Sequence, residues 1–483
     1  MTQSNAHSLL RTTGLTLVAV FTLGPLAYYS YTETVRHTVI RRRKRRYESI
    51  VKRIHSSASA ESSDATRAGP EELEAIQERF APIIAGGRWH NPFTEFREEG
   101  AWEWLVWKLI IQPLTGKTGW TGGLSRDDEE TVKKALPVER PDFQLLFAND
   151  PEMASDLVHL DPDNSNPGLA QDDKMGGSWA RLSQTGTSSA ATSRSLSDEG
   201  DRIAVERFKR SIAPDDAKIT VGKRMTVTWF GQSTLFCQLD GVNILTDPVF
   251  GHQPLDTFLA PKRMRPLPCP ITHLLAVDVC LVSHNHFDHL DARAVDYLGN
   301  SITWVVPLGL GDFFRRRGIH TVRELTWWQT TTLEADGRPP IEIVCLPTMH
   351  WSARTPLDTN QSLWCSFAVI GSRDRFFHCG DTGYCPVFEA IGRAYGPFTL
   401  AALPIGAYEP RWHLSPQHVD PEGAVNIHRD IRAQRSIGVH WGTWSLSDEY
   451  YDDPPKDLAR ARAKLGIDSK AFDVVPVGRT IRL

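Results

Sequence analysis

Residues 283–291 read SHNHFDHLD, three histidines and two aspartates in nine positions. They follow VDVCLV (277–282), an apolar run with the character of a buried strand. The polar cluster therefore occupies a turn at a strand end, where side chains two apart can converge as a helix would not allow. Three imidazoles and two carboxylates gathered in an interior are costly unless a cation lies among them. Neutral imidazole and carboxylate are the donors zinc prefers. His284 and His286 suit one ion; Asp288 and His289 suit a second a short distance away.

The same device recurs downstream. His350 follows IVCLPTM, Asp381 follows RFFHCG, and His440 follows SIGV. Strands that each deliver one donor at their end assign His284, His286 and His350 to a first metal. Asp288, His289 and His440 go to a second, with Asp381 bridging the two. Taken singly, His440 also reads as a structural histidine and Asp381 as a turn residue after glycine. Asp247, in LTDP after another strand, is expected to orient a ligand imidazole from behind. A turn-opening aspartate before proline is its plainer reading.

Short β-like runs separated by turns and helices fill the chain after Ile219. They include MTVTWF (225–230), STLFCQL (233–239), VNILT (242–246), TWVVP (303–307) and IEIVCLP (341–347). LWCSFAVI (363–370), RFFHCG (375–380), LAALPIG (400–406) and SIGVHWG (436–442) continue the series. Helical patterns fall between some of them, as in DARAVDYLG (291–299) and PEGAVNIHRDIRAQ (421–434). The pattern predicts an α/β fold of the αββα type, two antiparallel-leaning sheets with helices outside, over residues 201–483.

The N-terminal part reads differently. Residues 1–32 contain no Asp or Glu, and TGLTLVAVFTLGPLAYYSY (13–31) has the length of a bilayer core. Six consecutive basic residues, Arg41–Arg46, come after it rather than before it, the order of a signal anchor rather than a secretory signal peptide. A cleaved organellar presequence is the rival reading. The chain thus divides into a tail (1–12), a transmembrane helix (13–31), a basic segment and flexible linker (32–70), and an extension packed on the catalytic domain (71–159). Residues 160–200, rich in Ser, Gly, Asp and Asn, read as a disordered insertion. AWEWLVWKLIIQPL (101–114) reads as a helix, either buried or lying at a membrane interface.

A formal net charge of −4 argues against a nucleic-acid binder. Seven cysteines with no CxxC pair argue against a disulfide framework, placing the globular part in a reducing space. The single-pass span is compatible with the endoplasmic reticulum or the mitochondrial inner membrane, and the sequence leaves a homodimer open.

HxHxDH with separated His, Asp and His at strand ends resembles the metallo-β-lactamase fold. Within it, the chain resembles the N-acyl-phosphatidylethanolamine-hydrolysing phospholipase D family. The resemblance is carried by TWFGQSTL (228–235), LTDPVF (245–250), PKRMRPLPC (261–269), LVSHNHFDHLD (281–291) and WVVPLGL (304–310). RFFHCGDTGYCPVFEAIG (375–392), PIGAYEPRW (404–412), QHVDPEGAVNIH (417–428) and HWGTW (440–444) complete it, with a weaker echo in GRWHNPFTEF (87–96). It implies two zinc ions per subunit and a membrane phospholipid substrate cleaved to N-acylethanolamine and phosphatidic acid. Asp288 and His418 are the candidate catalytic residues; for His418 the family places it at the site, while a structural histidine is the plainer reading. Gln417, Tyr408 and Arg411 are candidate substrate contacts, an internal Arg411–Glu409 pair being the alternative for the last. Two other readings stay open: hydrolysis of another ester or phosphodiester, and a catalytically silent membrane scaffold.

Overall fold

A computed structural model describes residues 23–57, 67–97, 103, 106–111, 129–146, 225–255, 260–274, 277–334, 338–355 and 357–483. The tail, most of the 13–31 span, residues 58–66 of the linker and the 160–200 insertion lie outside the described residues.

The N-terminal region departs from expectation. Helix α1 runs unbroken over Gly24–Ser57, through the predicted boundary between span and linker. Pro25 falls in its first turn, where proline is tolerated, and no glycine or proline follows until Gly69. Its residues Thr32, Arg36 and Ile40 are buried, four apart on one stripe, while Arg41, Arg42, Lys44, Arg45 and Lys52 face solvent. The basic segment is thus a docked helix. Among the described residues no helix is long and apolar enough to cross a membrane. Helix α1 lies against α2 (Pro70–Arg79) and the hairpin β1 (Ile83–Ala85) and β2 (Arg88–His90). The Tyr28 hydroxyl donates to the Gly86 carbonyl at 3.1 Å, in the hairpin turn. The expected 101–114 helix is described only in part, as a wide turn over Trp107–Ile111 with Leu109 and Ile110 exposed. That part is not a buried helix; Trp107 donates to Asp448 Oδ2 at 2.8 Å.

The predicted strands, with four more that the pattern does not mark, assemble into two seven-stranded sheets. The first uses β3 (Thr226–Trp229), β4 (Leu235–Leu239), β5 (Val242–Thr246), β6 (Val279–Leu281), β7 (Thr303–Pro307) and β8 (Val322–Leu325). The second uses β9 (Thr330–Leu333), β10 (Ile341–Leu346), β11 (Ser366–Ile370), β12 (Arg375–His378), β13 (Phe398–Pro404), β14 (Ala433–Val439) and β15 (Phe472–Asp473). Strand β16 (Thr480–Arg482) returns to the first sheet beside β3.

Both sheets are mixed, not antiparallel-leaning. Strands β16, β3, β4 and β5 pair antiparallel, then β5 to β8 parallel. In the second sheet β9 to β12 are antiparallel and β12 to β15 parallel. Parallel neighbours need crossovers, and helices supply them. Helix α3 (Ala292–Leu298) links β6 to β7, α4 (Val387–Tyr395) links β12 to β13, and α5 (Pro421–Asp430) precedes β14. Helix α6 (Asp453–Leu465) packs on α5.

Alternation along each strand builds two cores from one sheet. Ile244, Leu281 and Val305 join Val344, Phe367 and Phe377 of the second sheet in the larger cluster. Their neighbours Leu245, Cys280, Trp304 and Val306 turn to the other face, against Val295 and Leu298 of α3. All seven cysteines are free and buried.

Candidate metal centre

The strand ends converge as the sequence pattern requires. His284, His286, Asp288 and His289 follow β6, and His350 follows β10. Asp381 follows β12, and His440 follows β14 directly. Backbone turns at these ends are tight: Asp247, Gln232 and His440 all adopt positive φ, at 36°, 48° and 62°. Such left-handed conformations in non-glycine residues cost energy and persist where surrounding structure imposes them. Gly380, at φ +61°, has a plain steric reason: an added Cβ would lie 2.8 Å from Ser283 Cβ. Only glycine lets the chain pass there and present Asp381.

Two donor sets result. His284, His286, His350 and Asp381 form one; Asp288, His289, His440 and Asp381 form the other, with the donor atoms of each set within 4.8 Å of one another. In the first, His286 Nδ1 lies 2.8 Å from His284 Nε2 and 3.2 Å from His350 Nε2. Asp381 Oδ2 stands 3.9 Å from His284 Nε2 and 3.8 Å from His350 Nε2. The same oxygen lies 3.1 Å from His289 Nε2 and 3.2 Å from His440 Nε2. Asp288 Oδ2 completes the second set, 3.2 Å from His440 Nε2 and 3.6 Å from His289 Nε2.

Electrostatics match bound cations. Burial holds the first-set imidazoles neutral: it carries His284 well below the usual 6.5, His286 to about 4 and His350 to about 3. Three neutral nitrogens facing one another present lone pairs to a common point. In the second set burial also opposes charge, but Asp381 and Asp288 overcome it. They raise His440 to about 9 and His289 well above its ordinary value. The carboxylates thus demand positive charge between them. Asp381 Oδ1 is buried and has no partner among the described residues. The donor chemistry fits divalent cations with nitrogen and oxygen ligands.

Behind the donors lies a set of orienting groups. Asp247 is fully buried; its Oδ2 accepts from His289 Nδ1 at 2.9 Å and His378 Nε2 at 2.8 Å. Ser283 donates its backbone N–H and its hydroxyl to the same carboxylate, both at 2.7 Å. Burial alone would raise the Asp247 carboxyl, but His378 and His289 outweigh it and hold it at about 2. His350 Nδ1 donates to the Gln417 carbonyl at 2.9 Å. The contact of Gln417 with the site is thus its backbone.

His418 stands at the rim, its Nδ1 3.9 Å from Asp381 Oδ2 and its side chain 15% exposed. Arg411 and Tyr408 are placed differently from the headgroup contacts expected of them. The Arg411 guanidinium donates to the Tyr408 and His418 carbonyls and pairs with Asp420, not Glu409. Tyr408 is buried, with its hydroxyl on Asp457. Both brace the loop that carries His418.

Gln232 and His378 belong to the site and carry no metal motif. Gln232 Nε2 donates to Asp288 Oδ2 at 2.7 Å and lies 2.8 Å from His440 Nε2. Its signal was the glycine-led turn in WFGQST after a strand; that of His378 was its place three residues before Asp381.

Residues 242–441 match the Beta-lactamase superfamily domain. N-acyl-phosphatidylethanolamine-hydrolyzing phospholipase D 1 of Caenorhabditis elegans is 43% identical over 269 residues, 53% of this chain and 75% of its own length. The mitochondrial N-acyl-phosphatidylethanolamine-hydrolyzing phospholipase D of Saccharomyces cerevisiae is 32% identical over 385 residues, 79% of this chain and 72% of its own. Among solved structures, an isothiocyanate hydrolase from Delia radicum gut bacteria shares 20% identity, covering 53% of this chain and 99% of its own, at a TM-score of 0.44. Length covered and identity together place the chain, a metal-dependent hydrolase, in the N-acyl-phosphatidylethanolamine-hydrolysing phospholipase D family.

Proposed function

We propose that the protein is a zinc-dependent phosphodiesterase of the phospholipase D type. It would cleave N-acyl-phosphatidylethanolamine to N-acylethanolamine and phosphatidic acid. The observation that carries this reading is the single oxygen, Asp381 Oδ2, standing within 3.9 Å of donor nitrogens from both sets. A shared anionic donor would hold two cations close enough to act on one phosphodiester. When bound, they supply Lewis acidity: they draw charge from phosphoryl oxygens and make water a competent nucleophile near neutral pH.

The chain's own groups set the geometry. His284, His286 and His350 would hold one zinc; Asp288, His289 and His440 would hold the other. Asp247 fixes the His289 tautomer by accepting from Nδ1, leaving Nε2 as the donor. Burial pulls His418 down to about 3, so it is neutral at working pH. Its Nδ1 has no hydrogen-bond partner among the described residues. A neutral ring at the rim offers a phosphoryl or leaving oxygen a hydrogen bond; it is not a ready source of a full proton. Trp351, with its ring 4.4 Å from that of His286, supplies an apolar wall beside the donors.

Helix α1 would rest on an anionic bilayer surface through its outward basic face. The yeast relative's name carries the word mitochondrial, and that association is part of the proposal. The test uses purified protein of measured metal content, offered N-acyl-phosphatidylethanolamine, phosphatidylcholine and a nitrophenyl phosphodiester. Cleavage of the first, abolished by chelator and restored by zinc, is expected. Two bound zincs with no turnover of any of the three would sink the reading.

A further inference from the structure

The RWHNPF stretch (88–93) lies far from the metal motifs in sequence, yet it touches one of them. Asn91 is 1% exposed, and its Nδ2 donates to the His350 carbonyl at 2.8 Å. A carbonyl only accepts, so the amide's orientation is settled by its partner. Asn91 in turn is held by α1. Arg36, 2% exposed, donates from Nε to the Asn91 carbonyl at 2.7 Å and from Nη2 to the Phe93 and Phe96 carbonyls at 2.5 and 3.0 Å. Its remaining amine pairs with Glu33 at 2.9 Å. One guanidinium thus holds three carbonyls of the 91–96 backbone. Alongside, the Trp89 N–H donates to the Asn360 carbonyl at 2.9 Å, and Asn360 closes back on Ser352 through its N–H at 2.7 Å and its side-chain oxygen at 3.1 Å.

His350 is therefore held from two directions. Its ring is aimed by the Gln417 carbonyl, and its backbone is tied to Asn91. His284 and His286, by contrast, belong to the turn after β6. We propose that Asn91 is a positioning residue for His350, locked by Arg36, so that helix α1 is a working part of the first metal position. The inference rests on the dinuclear reading above. It gives the N-terminal helix a second duty beside any membrane contact: shifts of α1 are passed through Arg36 and Asn91 to a zinc ligand.

The full chain tests this. Zinc per chain and its retention against graded chelator are measured for wild type, Asn91→Asp, Asn91→Ala, Arg36→Ala and Ile40→Ala. Asn91→Asp keeps size and turns a donor into an acceptor facing the carbonyl; Asn91→Ala removes the group and serves if the aspartate variant does not fold. Ile40→Ala removes packing from the same helix without touching the Arg36–Asn91 line. Wild type is expected to hold two zincs. The Asn91 and Arg36 variants should release one of them at about 10–100-fold lower chelator, the range that orienting partners of metal ligands command. Excess zinc should restore their kcat, and Ile40→Ala should keep wild-type retention despite a lower Tm. Both zincs retained at wild-type chelator levels in the Asn91 variants, or equal loss in Ile40→Ala, overturns the positioning role alone. Wild-type protein without zinc overturns the dinuclear reading and the role together.

Discussion

Replacing Asp381 by asparagine keeps its shape and removes the negative charge that five imidazoles face within 3.9 Å. Its effect should exceed the 10–100-fold that partners behind a metal site command. We expect Asp381→Asn to bind less than two zincs by elemental analysis and to lose more than about 100-fold in lipid cleavage. Asp247→Asn should act more mildly, since it leaves every donor atom in place and disturbs only the tautomers of His289 and His378. Zinc affinity lower by about 10–100-fold, measured by chelator competition, is the expected outcome. At this scale the sequence was most informative where a donor sits at the end of an apolar run, as for His350 and Asp381. It was least informative where a site residue hides inside a run. His378 closes β12 among phenylalanines, and Gln232 has no chemical signature until folding brings it beside Asp288 and His440. Arg411 and Tyr408 illustrate the converse: polar residues in a loop next to the site, whose partners turn out to be internal carbonyls and a carboxylate.

Among the elements, the contact between α4 and α5 has no tolerance for a side chain. A Cβ on Gly392 would fall 2.0 Å from the Asp430 carbonyl and 2.9 Å from Ile431 Cα. Gly392→Ala should therefore force the helices apart and cost about 1–3 kcal/mol, read as a lower Tm with zinc stoichiometry unchanged. The strands flanking the site were legible because burial on both faces makes them continuous apolar runs, such as β7 and β13. Strand β9, TTTL, lies at a sheet edge with exposed and half-buried residues and offered no such signal. Helix α6 was missed for another reason. Its apolar stripe is thin, Pro454, Leu458 and Ala461 amid charged residues, so tertiary contact with α5 rather than hydrophobic periodicity defines it. The docking of α1 was not legible, because Arg36 finds carbonyl partners inside the body that composition does not encode.

On the scale of the molecule, two sheets present their strand ends to one centre, so cations bound there would tie the halves together. Zinc at about 1,000 times its Kd should add roughly 4 kcal/mol to the stability of the folded chain. A chelator-dependent fall in Tm, reversed by zinc, checks it. The outward face of α1 leads to a separate expectation. Reversing Arg42 and Arg45 to glutamate should weaken sedimentation with anionic vesicles by at least about 10-fold at low salt, since each basic residue near such a surface contributes about 1 kcal/mol. Turnover of a soluble phosphodiester should be unaffected, as neither side chain approaches the donors.

The sequestration of all seven thiols has a practical corollary. Cys237, Cys280, Cys345, Cys365, Cys379 and Cys385 sit within the sheets and the turn after β12, and Cys269 under the second cluster. A thiol-specific chromophore added to the native enzyme should therefore develop colour only as fast as the fold breathes, with the slowest sulfurs timing the parting of the two sheets.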